Sequence, residues 1–186
     1  MHRRRFLAAA GTAVALPLAG CSLPVGSDGA DPEPLGPPDE TTSYEYSRSY
    51  RYRVGTAERV TLDVAFGRVR GSLSLETTLT AHDALTHDEF RVTVEPSPSR
   101  SGSGTVWVRG VSWASETTLR EVPGGTTATV EGDGENGARV LAFRIDREGT
   151  SEPVGVRVDA AFGSEGGTAY ALDRAGTYAV PPPAAD

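Results

Sequence analysis

The chain has 186 residues, with 18 Arg, no Lys, 25 Asp and Glu, and a net charge of −7. An acidic balance excludes a nucleic-acid partner, which calls for a basic face. The lack of lysine excludes a Walker-type phosphate loop, a Schiff base and a Ser-x-x-Lys hydrolase.

The N-terminus reads as an address. Arg3-Arg4-Arg5-Phe6-Leu7 precedes an uncharged run to Gly20 that is short for a membrane-spanning helix, which needs roughly 20 apolar residues. Basic segment, short apolar segment and small residues follow in secretory order. Arg-Arg-x-Phe-Leu resembles the twin-arginine export signal, and Leu18-Ala19-Gly20-Cys21 resembles the lipobox of lipoproteins. The resemblance implies that Arg3, Arg4, Arg5, Phe6 and Leu7 direct export, that residues 1–20 are removed, and that Cys21 carries lipid. The expected location is then the outer face of a cytoplasmic membrane, with the lipid at Cys21 as the membrane contact.

Cys21 is the only cysteine, so its lipidation would leave neither a disulfide nor a thiolate metal site. The mature chain would keep 15 Arg against 25 acids, a balance of −10. An acidic, lysine-free composition resembles that of proteins from halophilic archaea. At molar salt the screening length is about 3 Å, so the acids serve solubility rather than long-range steering. In dilute buffer the same charge opposes folding.

Residues 21–43 are rich in Pro, Gly and Asp and predict a disordered tether. Tyr44 to Val54 alternates with period two, Tyr44, Tyr46, Arg48, Tyr50 and Tyr52 sharing a face, and predicts a strand. Further strands are predicted over 58–66, 72–80, 90–95, 105–113, 126–131, 138–145, 154–162, 168–172 and 176–180. Residues 81–89 suggest a short helical turn, and Asn136-Gly137 suggests a hairpin. Residues 181–186 read as a loose, disordered end. No segment sustains a helical apolar stripe, so residues 44–180 predict one all-β, mostly antiparallel sandwich. Val60-Thr61-Leu62-Asp63-Val64-Ala65-Phe66-Gly67 is similar to Val156-Arg157-Val158-Asp159-Ala160-Ala161-Phe162-Gly163, an internal repeat or a coincidence of biased hairpins.

Few motifs carry chemistry. His82, Asp83, His87, Asp88 and Glu89 combine imidazole with carboxylate, which suits zinc, copper or iron. The five-residue gap between the histidines converges them on neither a strand nor a helix. The run Glu131-Gly132-Asp133-Gly134-Glu135-Asn136-Gly137 has oxygen ligands at alternate positions but lacks the sixth-position Gly and twelfth-position Glu of a calcium loop. Gly110-Val111-Ser112-Trp113-Ala114 misses a nucleophile elbow by one residue. The four tyrosines on one face of 44–54, or Trp107 and Trp113, would make a stacking platform for sugars; the alternative is core or cross-strand packing. No cofactor and no catalytic constellation are expected. The chain reads as a non-catalytic surface module for an envelope protein or a glycan, and alternatively as a metal-binding protein or hydrolase built on His82 and His87.

Overall fold

A computed structural model of the chain describes residues 31–54, 57–82, 84–97, 104–111, 117–132, 134–147 and 152–183. The described residues form twelve strands, most of them on alternating apolar positions. They are β1 (Glu33–Pro34), β2 (Glu40–Ser43), β3 (Ser47–Val54), β4 (Ala57–Val69), β5 (Ser72–Ala81) and β6 (Leu85–Glu95), followed by β7 (Thr105–Val111), β8 (Thr117–Val122), β9 (Gly125–Glu131), β10 (Gly137–Asp146), β11 (Val154–Ser164) and β12 (Ala169–Tyr178). Helix is absent among the described residues.

The strands form two six-stranded sheets. One has the order β1-β12-β11-β6-β9-β8 and the other β2-β3-β4-β5-β10-β7. All pairs are antiparallel except β1 with β12. The inward residues make the core of a β-sandwich, with Leu62, Leu79 and Phe143 of one sheet and Phe90, Val158 and Phe162 of the other fully or almost fully buried. Alternation along each strand sends the polar residues outward. The two similar segments form the first strands of two hairpins, β4–β5 and β11–β12, one in each sheet.

Several expectations change. Residues 21–30 of the expected tether lie outside the described residues, but Glu33–Pro34 and Glu40–Ser43 are strands rather than disordered chain. Each sits at a sheet edge, where Pro34 needs no ladder partner for a missing N–H. Among the described residues of 81–89 there is no helical turn, since the chain re-enters a strand at Leu85. Asn136-Gly137 is not a hairpin: β9 and β10 belong to different sheets, and Gly137 at φ 99° carries the chain from one layer to the other. A tight turn lies at the other end of β9, where Val122-Pro123-Gly124-Gly125 joins β8 to β9. The two last predicted strands are one, β12. The loose end starts late, because Val180 is buried and the Pro181 carbonyl accepts the Arg68 Nε–H at 3.1 Å. Residues 184–186 lie outside the described residues.

The layers are fastened at their margins. On one flank the Tyr50 and Tyr178 hydroxyls meet at 3.1 Å, joining β3 to β12. At one end Arg147 donates to the carbonyls of Pro96, Glu152 and Pro153, clasping two loops together.

The core should respond as a close-packed interior. Phe162→Ala is expected to lower unfolding free energy by about 3–5 kcal/mol, and the outward Thr78→Ala by less than about 0.5 kcal/mol. Urea denaturation measures both, and equal losses would contradict the assigned facing.

Candidate functional site

The sheets end unevenly on the flank opposite the Tyr50–Tyr178 contact. Among the described residues β7 pairs with β10 alone and β8 with β9 alone, so each leaves one row of backbone groups without a strand partner there. Between them runs a groove of about 530 Å³, walled by Thr105, Val106 and Trp107 of β7 and by Leu119 and Val122 of β8. Leu119 stands opposite Ala128, which is fully buried on the inner face of its sheet. It therefore belongs to the inward face, yet it is 53% exposed. Trp107, 46% exposed, lies beneath the Arg144 guanidinium at 5.4 Å. Asp146 pins that guanidinium through two hydrogen bonds of 2.8 and 3.0 Å. Trp107 pairs with the outward Arg144 between the buried Phe143 and Ile145 positions, so the indole belongs to the outer face of its sheet and borders the groove at its rim. Trp113 and Ser112 lie outside the described residues.

The tyrosine row divides between packing and exposure. Tyr50 and Tyr52 are buried, Tyr46 is half-buried and Tyr44 is exposed. It is part of the core rather than a sugar-stacking platform.

The histidines go to separate places. His82 Nε2 lies 3.1 Å from Thr61 Oγ1 on β4. His87 is buried, donates from Nε2 to the Gly137 carbonyl at 2.8 Å, and packs against the Phe162 ring at 5.6 Å. Strict alternation from the buried Phe90 would turn His87 outward. A bulge leaves Asp88 unmatched, since Phe162 pairs with His87 and Ala161 with Glu89. The extra residue restores His87 to the inner face. Asp88 is exposed, and Asp83 lies outside the described residues. Among the described residues no three His, Cys, Asp or Glu side chains gather as a metal site. His87 is a packing and hydrogen-bonding residue.

The acidic loop after β9 has a local explanation. Gly132 donates to the Asp88 carbonyl, Gly134 to the His87 carbonyl, and the His87 N–H to the Glu135 carbonyl. A Cβ on Gly132 would lie 1.9 Å from the His87 oxygen. The glycines permit a close approach to the β6 bulge. Asp133 lies outside the described residues.

The outer face of the β11 sheet carries charges in ladders. Asp159 stands opposite both Arg91 and Asp173, and Glu89 opposite Glu131. Arg157 bridges Asp159 at 3.2 Å and Asp173 at 2.8 Å. Removal from water holds the Asp159 and Glu89 carboxyls, and partial removal the more exposed Asp88 carboxyl, above their ordinary pKa values, and neighbouring acids add to this at Asp159 and Glu89. Arg157 and Arg91 oppose the rise at Asp159, and Arg91 does so at Glu89.

No family model and no curated protein matches the chain. Among solved structures it is similar to the yeast δ-COP-I μ-homology domain complexed with the Dsl1 WxWxV peptide, at 14% identity and a TM-score of 0.39. That match covers 66% of this chain, which spans little more than half (56%) of the other. It is also similar to the GAE domain of yeast GGA1, at 13% identity and a TM-score of 0.34, covering 69% of this chain and 96% of that one. A Streptococcus parasanguinis Fap1 fimbrial structure matches at 12% identity and a TM-score of 0.38, covering 80% and 92%. These likenesses are remote.

The raised carboxyls set a direction with pH. Asp159, Glu89 and Asp88 bind protons more tightly when folded, so stability rises as pH falls from neutral through their raised pKa values. The gain is complete below the unfolded values of about 4. Screening by salt weakens repulsion among the same acids. At low ionic strength the urea midpoint is expected to increase from about pH 7 to about pH 5, and at neutral pH from dilute buffer to molar potassium chloride. A midpoint flat in both titrations would show that acid repulsion does not weaken the fold.

Proposed function

We propose that the protein is a lipid-anchored envelope module that takes an extended segment of another envelope protein into the groove between β7 and β8. One observation carries this reading. β1 and β2 hold one margin of the two sheets and β8 and β7 the opposite margin. Five strand spacings separate them, about 24 Å. The described chain starts at Asp31, ten residues after Cys21, at the β1–β2 margin. With lipid on Cys21, the groove would sit on the margin away from the anchor, open to a partner.

The groove suits a strand better than a compact ligand. Its borders are free strand edges, which an extended chain can pair, and its exposed apolar groups are Leu119 on the inward face and Trp107 at the rim. Arg120 and Glu121 supply both signs of charge at the rim. An incoming segment with apolar side chains at alternate positions would cover Leu119 while completing a ladder.

A photocrosslinker at position 119, used on intact cells, is expected to give a discrete protein adduct. The adduct should disappear with Trp107→Ala and should not form from position 76 on the outer sheet face. The same adducts from positions 119 and 76, or a glycan adduct in place of protein, would overturn the reading.

Anchoring has its own test. Cys21→Ser is expected to release the processed protein to the medium or to stall processing, and replacing Arg3, Arg4 and Arg5 together should block export. A mature-sized Cys21→Ser chain found wholly with membranes would rule out lipid anchoring.

A further inference from the structure

The outer face of the sheet that contains β5 carries a cationic cleft of about 460 Å³. Arg70 at the tip of the β4–β5 hairpin, Ser72 and Ser74 of β5, Arg144 of β10 and Arg109 of β7 line it. Pairing sets these groups side by side, since Ser74 stands opposite Arg144 and Arg144 opposite Trp107. No acid lines the cleft. Arg144 is engaged by Asp146, whereas the exposed side chains of Arg70 and Arg109 form no ion pair among the described residues. Glu76, the next outward residue of β5 after Ser74, pairs with neither. Two arginines thus stand uncompensated in a chain with more acids than arginines.

Each of the two is delivered by a local irregularity of the backbone. Arg70 has φ 51° and is the only residue other than glycine with a positive φ among the described residues. With Gly71 at φ 82° it makes the two-residue turn between Val69 and Ser72. Such turns favour Asn, Asp or Gly at this place, because a longer side chain is strained in the left-handed region. Strain of this kind clusters where a side chain has a ligand to meet. Arg109 is the extra residue of a bulge, since Gly110 pairs with Ala142 and Val108 with Phe143. A bulge re-aims a side chain. The space beside it at Gly110 is open, with nothing within 4 Å of where a Cβ would lie.

We propose that this cleft binds an acidic glycan, with Arg70 and Arg109 holding its acidic groups and Ser72 and Ser74 its hydroxyls. Two strand spacings, about 10 Å, separate β5 from β7, so a ligand that meets both arginines carries acidic groups at two separated points. Guanidinium forks take such oxyanions through paired hydrogen bonds. The floor does not suit a peptide that pairs its backbone. β4, β5 and β10 each have a strand on both sides, so their N–H and C=O groups are spent in ladders. A ligand here meets side chains alone: hydroxyls, guanidiniums and, on the same outer face, the exposed indole of Trp107. A glycan offers hydroxyls, acidic groups and the apolar face of a sugar ring, which match these three. The cleft lies on the outer face and the β7–β8 groove opens between the layers, so the two readings fail separately.

Calorimetric titration of the purified full chain, at constant ionic strength in potassium chloride, compares oligogalacturonate, dextran sulfate, neutral dextran and polyglutamate. Oligogalacturonate or dextran sulfate is expected to bind, the first if the acidic groups are carboxylates and the second if they are sulfates. Neutral dextran should give no heat, and polyglutamate should bind at least about tenfold more weakly, the strength lost with one charge-assisted contact. Arg109→Gln should weaken glycan binding by a similar factor. Arg70→Asn separates binding from folding. Asn suits the left-handed turn, so the melting temperature should hold or rise while glycan affinity falls. Neither variant should alter the protein adduct formed from position 119, which keeps the groove testable by itself. No heat from either acidic glycan would overturn the proposal. So would unchanged glycan affinity in both Arg70→Asn and Arg109→Gln, or equal binding of neutral dextran. Polyglutamate binding as tightly as the glycans would also overturn it and assign the cleft to an acidic peptide.

Discussion

Each sheet has one apolar face, and among the described residues it is covered by the apolar face of the other. There is no helix among the described residues to lie across a sheet. The single cysteine sits at position 21, so no disulfide can tie the layers together. Face-to-face burial is therefore what holds the domain, at roughly 25 cal/mol per Å² of apolar surface removed from water. Leu62, Leu79 and Phe143 against Phe90, Val158 and Phe162 are its middle. The chain repeatedly changes layer to build it, as between β5 and β6 and between β9 and β10, and irregular features lie beside those crossings. The β6 bulge, the buried His87 and Gly132 against the His87 carbonyl all belong to one such corner.

Burial against a partner sheet works in the middle of the sandwich and fails at its margins. The two margins fail differently. Between β3 and β12 the inward groups are tyrosines and arginines, so the layers meet through hydroxyls and cation–π contacts. Between β7 and β8 the opposing cover is incomplete, and an inward leucine is left in solvent. The outward face of the β11 sheet is finished by contrast. There, acids are interleaved with arginines, and like charges stand opposite one another only where Arg157 or Arg91 lies nearby.

Period two made most strands legible, because a half-buried strand must alternate. It failed where burial does not alternate. Thr117-Thr118-Leu119-Arg120-Glu121-Val122 has no buried residue, so β8 left no apolar rhythm to read. β1 and β2 are short edge strands of polar residues and proline, whose pairing depends on β12 and β3 rather than on their own composition. Asn136-Gly137 has the chemistry of a tight turn, and turn chemistry cannot tell whether the next strand joins the same sheet or the facing one. The similarity of residues 60–67 and 156–163 was visible in the chain, whereas their placement in separate sheets was not.

Sequence alone determined the all-β class, because strict alternation with frequent turn residues suits no other packing, and it determined the acidic, lysine-free surface. It also supplied the export and lipidation expectation at residues 3–7 and 21, whose chemistry is local. Tertiary structure decided everything that depends on two distant segments meeting. It sent His82 to Thr61 and His87 to Gly137, separating a pair that five residues of sequence had placed together. It brought Arg48 and Tyr50 to Arg174 and Tyr178 across 128 residues between the two tyrosines. It also left Leu119 uncovered by ending the opposite sheet at β7. The reason is the same in each case: alternation assigns a side chain to a face, and only the order of strands in the two layers decides what that face meets.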